Sequence, residues 1–109
     1  MVKTEFVKVF GETPFIKVID FLIDNYIFDY SKTEVAREVG ISRITIGPIW
    51  KNLIKQKIIF KTKKVSNAIL YRLDTKNPIV IKMRELDFML STNDYFKKKE
   101  SKLEMPMFA

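Results

Sequence analysis

The stretch Ser31–Lys51, SKTEVAREVGISRITIGPIWK, reads as two helices joined at Gly40. Ser31 can cap the first helix, and Glu34 three residues later completes a capping box. Val35, Ala36 and Val39 fall on one face, and Gly40 follows where a helix end favours a left-handed residue. Ile41 fills the turn. Ser42 can cap the second helix, on which Ile46, Ile49, Trp50 and Leu53 share a side. The small Ala36 lets two helices cross closely. This spacing predicts a helix-turn-helix.

Outward from that unit, the composition narrows what the chain can do. Its 109 residues, 47% of them hydrophobic, suit one compact domain with its own core. There is no Cys, so no disulfide, thiolate metal site or nucleophilic thiol. There is no His, which removes the commonest metal ligand and the commonest neutral-pH base. Most routes to an enzyme are thereby closed, and a non-catalytic protein without a metal site is expected. No small-molecule ligand is evident. Nothing resembles a signal peptide, and no apolar run approaches the roughly 20 residues of a membrane span. No membrane partner and a cytoplasmic location are the corresponding expectations.

The net charge of +7 is unevenly spread. Residues 42–73 carry Arg43, Lys51, Lys55, Lys57, Lys61, Lys63, Lys64 and Arg72 and no acid, whereas the flanking segments are nearly balanced. A Lys-rich composition would explain the total but not its confinement to one window. A basic patch on a small fold is the footprint of a polyanion binder.

Residues 2–10 alternate weakly and fit a short strand or a helix start. Thr13-Pro14 is a cap followed by Pro at the first helical position, predicting a helix over 14–25. Its apolar surface is wider than one stripe, so burial on more than one side is expected. Tyr26–Tyr30 has strand chemistry and predicts a small edge strand. Helices follow at about 32–39 and 43–57. Then 58–64 and 68–73 read as a hairpin around Val65-Ser66-Asn67, with Ile69, Tyr71 and Leu73 on one face. A basic hairpin after such a helix pair is a wing. The expected fold is mainly α with a small β-hairpin (α+β), a winged helix-turn-helix with an additional C-terminal helix.

Asn77-Pro78 starts that last helix, about 78–91. Ile79, Met83, Leu86 and Leu90 follow 4-3-4 steps and form one stripe, while Ile81 and Phe88 lie nearly opposite. One face can dock on the domain and the other is left for a partner, most simply a second copy. All six are therefore candidate dimerisation residues. The domain is expected to span 1–91. Residues 92–109 form a polar, Lys-rich tail, either a fraying helical extension or disordered, and Lys97–Lys99 read as a solvated run. Asp20, Asp24 and Asp29 read as a solvated acidic face.

The runs TPFIKVIDFLIDNYIFDYSKTEVAREVGISR, IWKNLIKQKII and KVSNAILYRLDTKNPIVIKMRELDFML together resemble archaeal winged helix-turn-helix transcriptional regulators, over roughly residues 10–91. The resemblance implies sequence-specific binding of double-stranded DNA, usually as a homodimer and without a cofactor. Two features depart from the family. Gly47 and Pro48 stand where bulky polar or aromatic side chains are common, and the wing tip lacks Gly, so that Asn67 is expected to take the left-handed conformation.

On this reading the second helix enters the major groove. Ser42, Arg43, Thr45, Gly47, Pro48, Lys51, Asn52 and Lys55 face away from its apolar side. Arg43 is the foremost base-contact candidate, because a guanidinium can grip guanine O6 and N7 together. Thr45 can meet a thymine methyl, and Lys51 suits a phosphate. Ser31, Lys32 and Thr33 open the preceding helix, whose amides also suit a phosphate. Lys61, Lys63, Lys64, Ser66, Asn67 and Arg72 of the wing would follow the minor groove or its phosphates. Gly47-Pro48 costs a helix interior about 4 kcal/mol relative to alanines. It predicts either a kinked helix in which small Gly47 lets the backbone approach DNA, or a helix that starts only at Pro48; the first keeps Ile46 and Ile49 in register. Alternative functions are maintenance of a plasmid or virus, or a winged-helix protein-interaction module.

Overall fold

The computed structural model describes residues 3–103, with side chains through Thr92. The chain runs α1 (Glu5–Phe10), α2 (Pro14–Asp24), α3 (Lys32–Val39), α4 (Arg43–Lys55), β1 (Ile59–Val65), β2 (Ala68–Leu73) and α5 (Pro78–Leu103). Helices plus one antiparallel hairpin make the expected winged helix-turn-helix.

The N-terminal segment takes the helical option. The Thr4 hydroxyl accepts the Val7 N–H at 3.2 Å, and Phe6 and Val7 are buried. Thr13 caps α2 as its Thr-Pro signal predicts, accepting from Ile16 N–H at 3.3 Å. Val18, Ile19, Leu22 and Ile23 of α2 are all buried, which accounts for its wide apolar surface. Tyr26–Tyr30 does not form the edge strand expected of it. It turns, and only Tyr30 pairs, exchanging two backbone hydrogen bonds of 2.8 Å with Tyr71.

The helix-turn-helix closes as its sequence requires. Gly40 is left-handed (φ 74°), and Ile41 N–H reaches the Ala36 carbonyl at 2.9 Å. Val35, Ala36, Ile46, Trp50 and Leu53 then meet α2 in one core that also takes Ile58, Ile59 and Leu73 from the base of the hairpin. α4 is a continuous helix from Arg43, with Pro48 inside it, so the option of a helix starting at Pro48 is not taken. Fully burying a large apolar side chain is worth about 1.5–3 kcal/mol. Ile46, Trp50 and Leu53 together outweigh the local cost of Gly47-Pro48. The helix ends at Lys55, two residues before the expected position, because Lys57 is left-handed (φ 59°).

The wing pairs Ile59 with Leu73 at its base and Val65 with Ala68 at its tip, with a bulge at Thr62 whose hydroxyl donates to the Leu70 carbonyl at 3.2 Å. Burial falls from Leu73 through Tyr71 to exposed Ile69. At the tip Ser66 (φ 57°), not Asn67, takes the left-handed conformation. A positive φ at the first of two loop residues is the type II′ pattern that suits a twisted hairpin.

α5 packs on α1 and α2. The seated residues are Val80, fully buried, with Met83 and Leu90 against the core. The docking stripe therefore passes through Val80, whereas Ile79 and Leu86, expected on it, are exposed. Asp87 lies on the same line and masks it in the sequence. Beyond residue 91 the backbone stays helical to Leu103, which favours the helical-extension option; the side chains of Lys97–Lys99 lie outside the described ones. No helix among the described residues is long and apolar enough to cross a membrane.

Candidate nucleic-acid interface

Two capped helix starts and the wing tip frame one surface. At the start of α3 the Ser31 hydroxyl accepts the Glu34 N–H at 3.2 Å, and the Glu34 carboxylate accepts the Ser31 N–H at 2.9 Å. Ser31 is thus engaged as a cap, while Lys32 and Thr33 stand exposed beside it. At the start of α4 the Ser42 hydroxyl accepts the Thr45 N–H at 3.1 Å and donates to the Thr45 hydroxyl at 2.9 Å. These bonds hold Thr45 at the first turn, next to exposed Arg43.

Between α3, the middle of α4 and the wing lies a groove of about 830 Å³. Ser31, Lys32, Thr33, Gly47, Lys51 and Asn67 all border it. Six of the residues singled out from three separate segments of sequence are thereby brought together. Trp50 lines it from below, meeting the Tyr71 ring edge-on at 5.6 Å. Arg43, Thr45, Pro48 and Asn52 are exposed on α4 outside the groove, and Lys61, Lys64 and Ser66 are exposed on the wing. Arg43, Lys51, Lys61, Lys63 and Lys64 have no ion-pair partner among the described residues.

Two members of the expected set are placed elsewhere. Arg72 is held by Asp29: its Nε donates to Oδ1 at 2.6 Å, and its terminal nitrogen lies 2.6 Å from the same oxygen. The pair ties the wing base to the turn after α2, so Asp29 is not part of a solvated acidic face. Lys63 borders a separate hollow of about 380 Å³ with Ile27, Phe28 and Arg72. The wing lysines are thus shared between two surfaces.

Ile44 is the residue the sequence reading passed over. It is 88% exposed, the most exposed large apolar side chain described. Its signal was present, since 44, 48, 51 and 55 follow 4-3-4 steps along the outer line of α4. Gly47 is equally informative. A Cβ built there meets nothing within 4 Å, so nothing inside the protein requires glycine at that position.

Of the other two acidic residues, Asp24 is exposed, as a solvated face has it, whereas Asp20 is partly buried. Carboxylate oxygens of Asp20 and Asp24 on α2 and Asp87 on α5 lie within 4.8 Å of one another. Desolvation, and then the negative charges of Asp20 and Asp87, push the Asp24 carboxyl up to about 6. Burial raises Asp20 against a 2.8 Å hydrogen bond from the Thr4 hydroxyl, and burial with Asp20 raises Asp87.

No family model and no curated protein matches the chain. Solved structures do match in fold. AntR, an antimony-specific transcriptional repressor, superposes with a TM-score of 0.57 at 21% identity, over 84% of this chain and 77% of its own. A mutant of Lactococcus lactis ZitR in complex with DNA gives 0.54 at 17% identity, over 74% of this chain and 57% of its own. The adhesin competence repressor AdcR of Streptococcus pyogenes gives 0.55 at 16% identity, over 79% and 65%. The chain thus spans about three fifths of the length of ZitR, which is described as a zinc-responsive MarR family member. The archaeal part of the resemblance finds no support among these neighbours; its winged helix-turn-helix part does, and that is the fold of this chain.

Proposed function

We propose that the protein is a non-catalytic transcriptional regulator that binds double-stranded DNA sequence-specifically as a homodimer in the cytoplasm. The observation that carries this reading is the basic surface on which the start of α3, the outer face of α4 and the wing tip converge, where α4 and the wing carry no acid and Glu34 of α3 is engaged in the capping box with Ser31. Three of its structural neighbours are described as repressors or as bound to DNA.

In this reading α4 lies in the major groove with Arg43 on a guanine and Thr45 beside it. Ile44, apolar and open, suits a thymine methyl. Lys51 and the start of α3 meet phosphates, and Lys61, Lys64, Ser66 and Asn67 follow the adjacent minor groove. Gly47 lets the α4 backbone approach the duplex closely. Arg72 stays with Asp29. The second copy pairs through α5, where Ile81, Phe88 and Met89 surround a shallow hollow of about 490 Å³ that also holds Arg84 and Glu85. A face carrying one cation and one anion among exposed apolar groups can pair with itself about a two-fold axis. Ile79 and Leu86 flank it, and Met83 and Leu90 belong to the core of their own chain.

Selection of bound duplexes from a random pool, followed by mobility shifts at several salt concentrations, tests this. An inverted repeat bound with steeply salt-dependent affinity is expected. Recovery of no preferred duplex, or affinity indifferent to salt, would overturn it. A second reading, a winged-helix protein-docking module, draws on Ile44, Ile54 and Ile69, whose exposure gives the surface an apolar component. It predicts no duplex selection at all.

A further inference from the structure

α3 and α4 end in the same way, on residues of different suitability. In α3, Gly40 N–H bonds the Arg37 carbonyl at 3.3 Å and Ile41 N–H the Ala36 carbonyl at 2.9 Å. In α4, Lys57 N–H bonds the Ile54 carbonyl at 3.0 Å and Ile58 N–H the Leu53 carbonyl at 2.9 Å. Both are Schellman closures, in which the residue after the helix must be left-handed. Gly40 does this without strain. Lys57 at φ 59° does not, and such a residue persists only where its surroundings over-determine it.

Asn77 supplies that restraint. Its side-chain amide donates to the Lys57 carbonyl at 2.8 Å and lies 3.4 Å from the Gln56 carbonyl. Its side-chain oxygen accepts the Ile79 N–H at 2.8 Å, in the first turn of α5. Its backbone carbonyl accepts the Ile81 N–H at 2.9 Å. One side chain therefore satisfies carbonyls left open at the end of α4 and an amide left open at the start of α5. Nearby, Asp74 N–H bonds the Ile58 carbonyl at 2.8 Å, closing the base of the wing at the same junction. α5 otherwise packs on α1 and α2, and α2 packs in turn on α4, so this junction is a direct tie between two helices that elsewhere meet chiefly through α2.

We propose that Asn77 is a positioning residue that fixes the angle between α4 and α5. Resting on the dimeric DNA-binding reading above, it thereby sets the spacing between the two half-sites that a dimer accepts. A cap at α5 alone needs only an oxygen acceptor, which Ser or Asp would supply as well. The second function needs the amide donor, and Asn has both.

The absence of cysteine allows clean spin labelling at Lys55→Cys and Lys82→Cys, one label on each helix. The distance distribution between them is compared in the parent, N77S and N77D. Both variants keep the α5 cap and lose the donor, so helicity remains close to the parent, while the unfolding midpoint falls modestly because the Lys57 carbonyl loses its partner. A narrow distribution in the parent that broadens in N77S and N77D is expected. An unchanged distribution overturns the proposal. Unlabelled parent, N77S and N77D are then titrated with a single half-site and with paired half-sites at varied spacing. The parent should favour one spacing by about tenfold, a typical coupling between sites. N77S should lose most of that preference and keep its single half-site affinity. Retention of the full preference by N77S overturns the proposal. Broadened distances in a protein whose parent binds no duplex support the positioning role and overturn the DNA reading, so the two failures are told apart.

Discussion

The basic face over α3, α4 and the wing and the acidic seam between α2 and α5 deal with charge in opposite ways. On the basic face the cations stand in solvent, unpaired among the described residues apart from Arg72. At the seam, three carboxylates crowd within 4.8 Å where burial makes their charge unfavourable. Charge left open costs the fold little and is available to an outside polyanion. Charge folded into a seam changes the stability of the molecule itself. Substitutions on the first surface should therefore change binding and spare the fold, and substitutions on the second should do the reverse.

The sharpest test of the first half is Arg43→Ala. Loss of a bidentate base contact is worth about 1–3 kcal/mol, so duplex affinity should fall roughly 10- to 100-fold, most for sites with a guanine at the contacted position. The unfolding midpoint should not move, because Arg43 is exposed and makes no ion pair among the described residues. Mobility shifts beside thermal melts measure both. A large drop in melting temperature would break the contrast.

Asp24→Asn tests the other half and should act in the opposite sense. The Asp24 carboxyl is raised to about 6 in the fold, above its ordinary 3.8, so the folded state binds the proton more tightly than the unfolded chain. Stability from this group is full below about pH 4 and declines as pH rises through 6. Asp20 and Asp87 are raised in the same direction. Glu12, held below its ordinary value by Lys3, opposes them at lower pH. A displacement of this size would be about 3 kcal/mol for a fully buried group. Solvent screening at this partly exposed site reduces it to about 1 kcal/mol. The Asn variant should gain that much at pH 7 and flatten the profile between pH 4 and 6, with duplex affinity unchanged. Urea titrations at several pH values measure it.

The contrast also explains what could be read from the sequence. The helix-turn-helix was legible because its signals are local: Ser31 with Glu34, Gly40, and Ser42 with Thr45 each lie within one turn. The left-handed residues Lys57 and Ser66 were not, because such positions are recognised by glycine and neither carries one. Asp29–Arg72 joins residues 43 apart and leaves no periodic trace. The seat of α5 was misplaced because Asp87 interrupts it, while Ile79 and Leu86 complete a more apolar line that faces solvent. For the binding surface, the residue types and the basic window were legible. The separation of Lys63, which borders the second hollow, from exposed Lys61 and Lys64 was not, since a bulge at Thr62 decides it.

Gly47→Ala sets the two halves against each other at one residue. Alanine is favoured over glycine in a helix interior by just under about 1 kcal/mol. The added Cβ would meet nothing within 4 Å, so the gain should appear undiminished in the melting temperature. Gly47 also borders the groove, where the same Cβ would stand between α4 and a closely seated duplex. A more stable protein with severalfold weaker DNA binding is expected. Greater stability with undiminished binding would show that no close backbone approach occurs at Gly47.

The smallest effect concerns the wing tip. Ser66 is left-handed at the first loop position of a two-residue turn, where Gly carries no steric penalty. Ser66→Gly should relieve that strain, offset in part by the greater freedom of glycine in the unfolded chain, for a net gain of about 0.5 kcal/mol. Because the tip is exposed and far from the Leu73 base, the gain should appear as slower amide exchange in β1 and β2 more than as a shift of the global melt. Single half-site affinity should rise slightly if the tip lies on DNA, because a better-ordered wing loses less entropy on binding. A wing that becomes more ordered while affinity stays constant would place Ser66 and Asn67 outside the contact and leave recognition to α3 and α4.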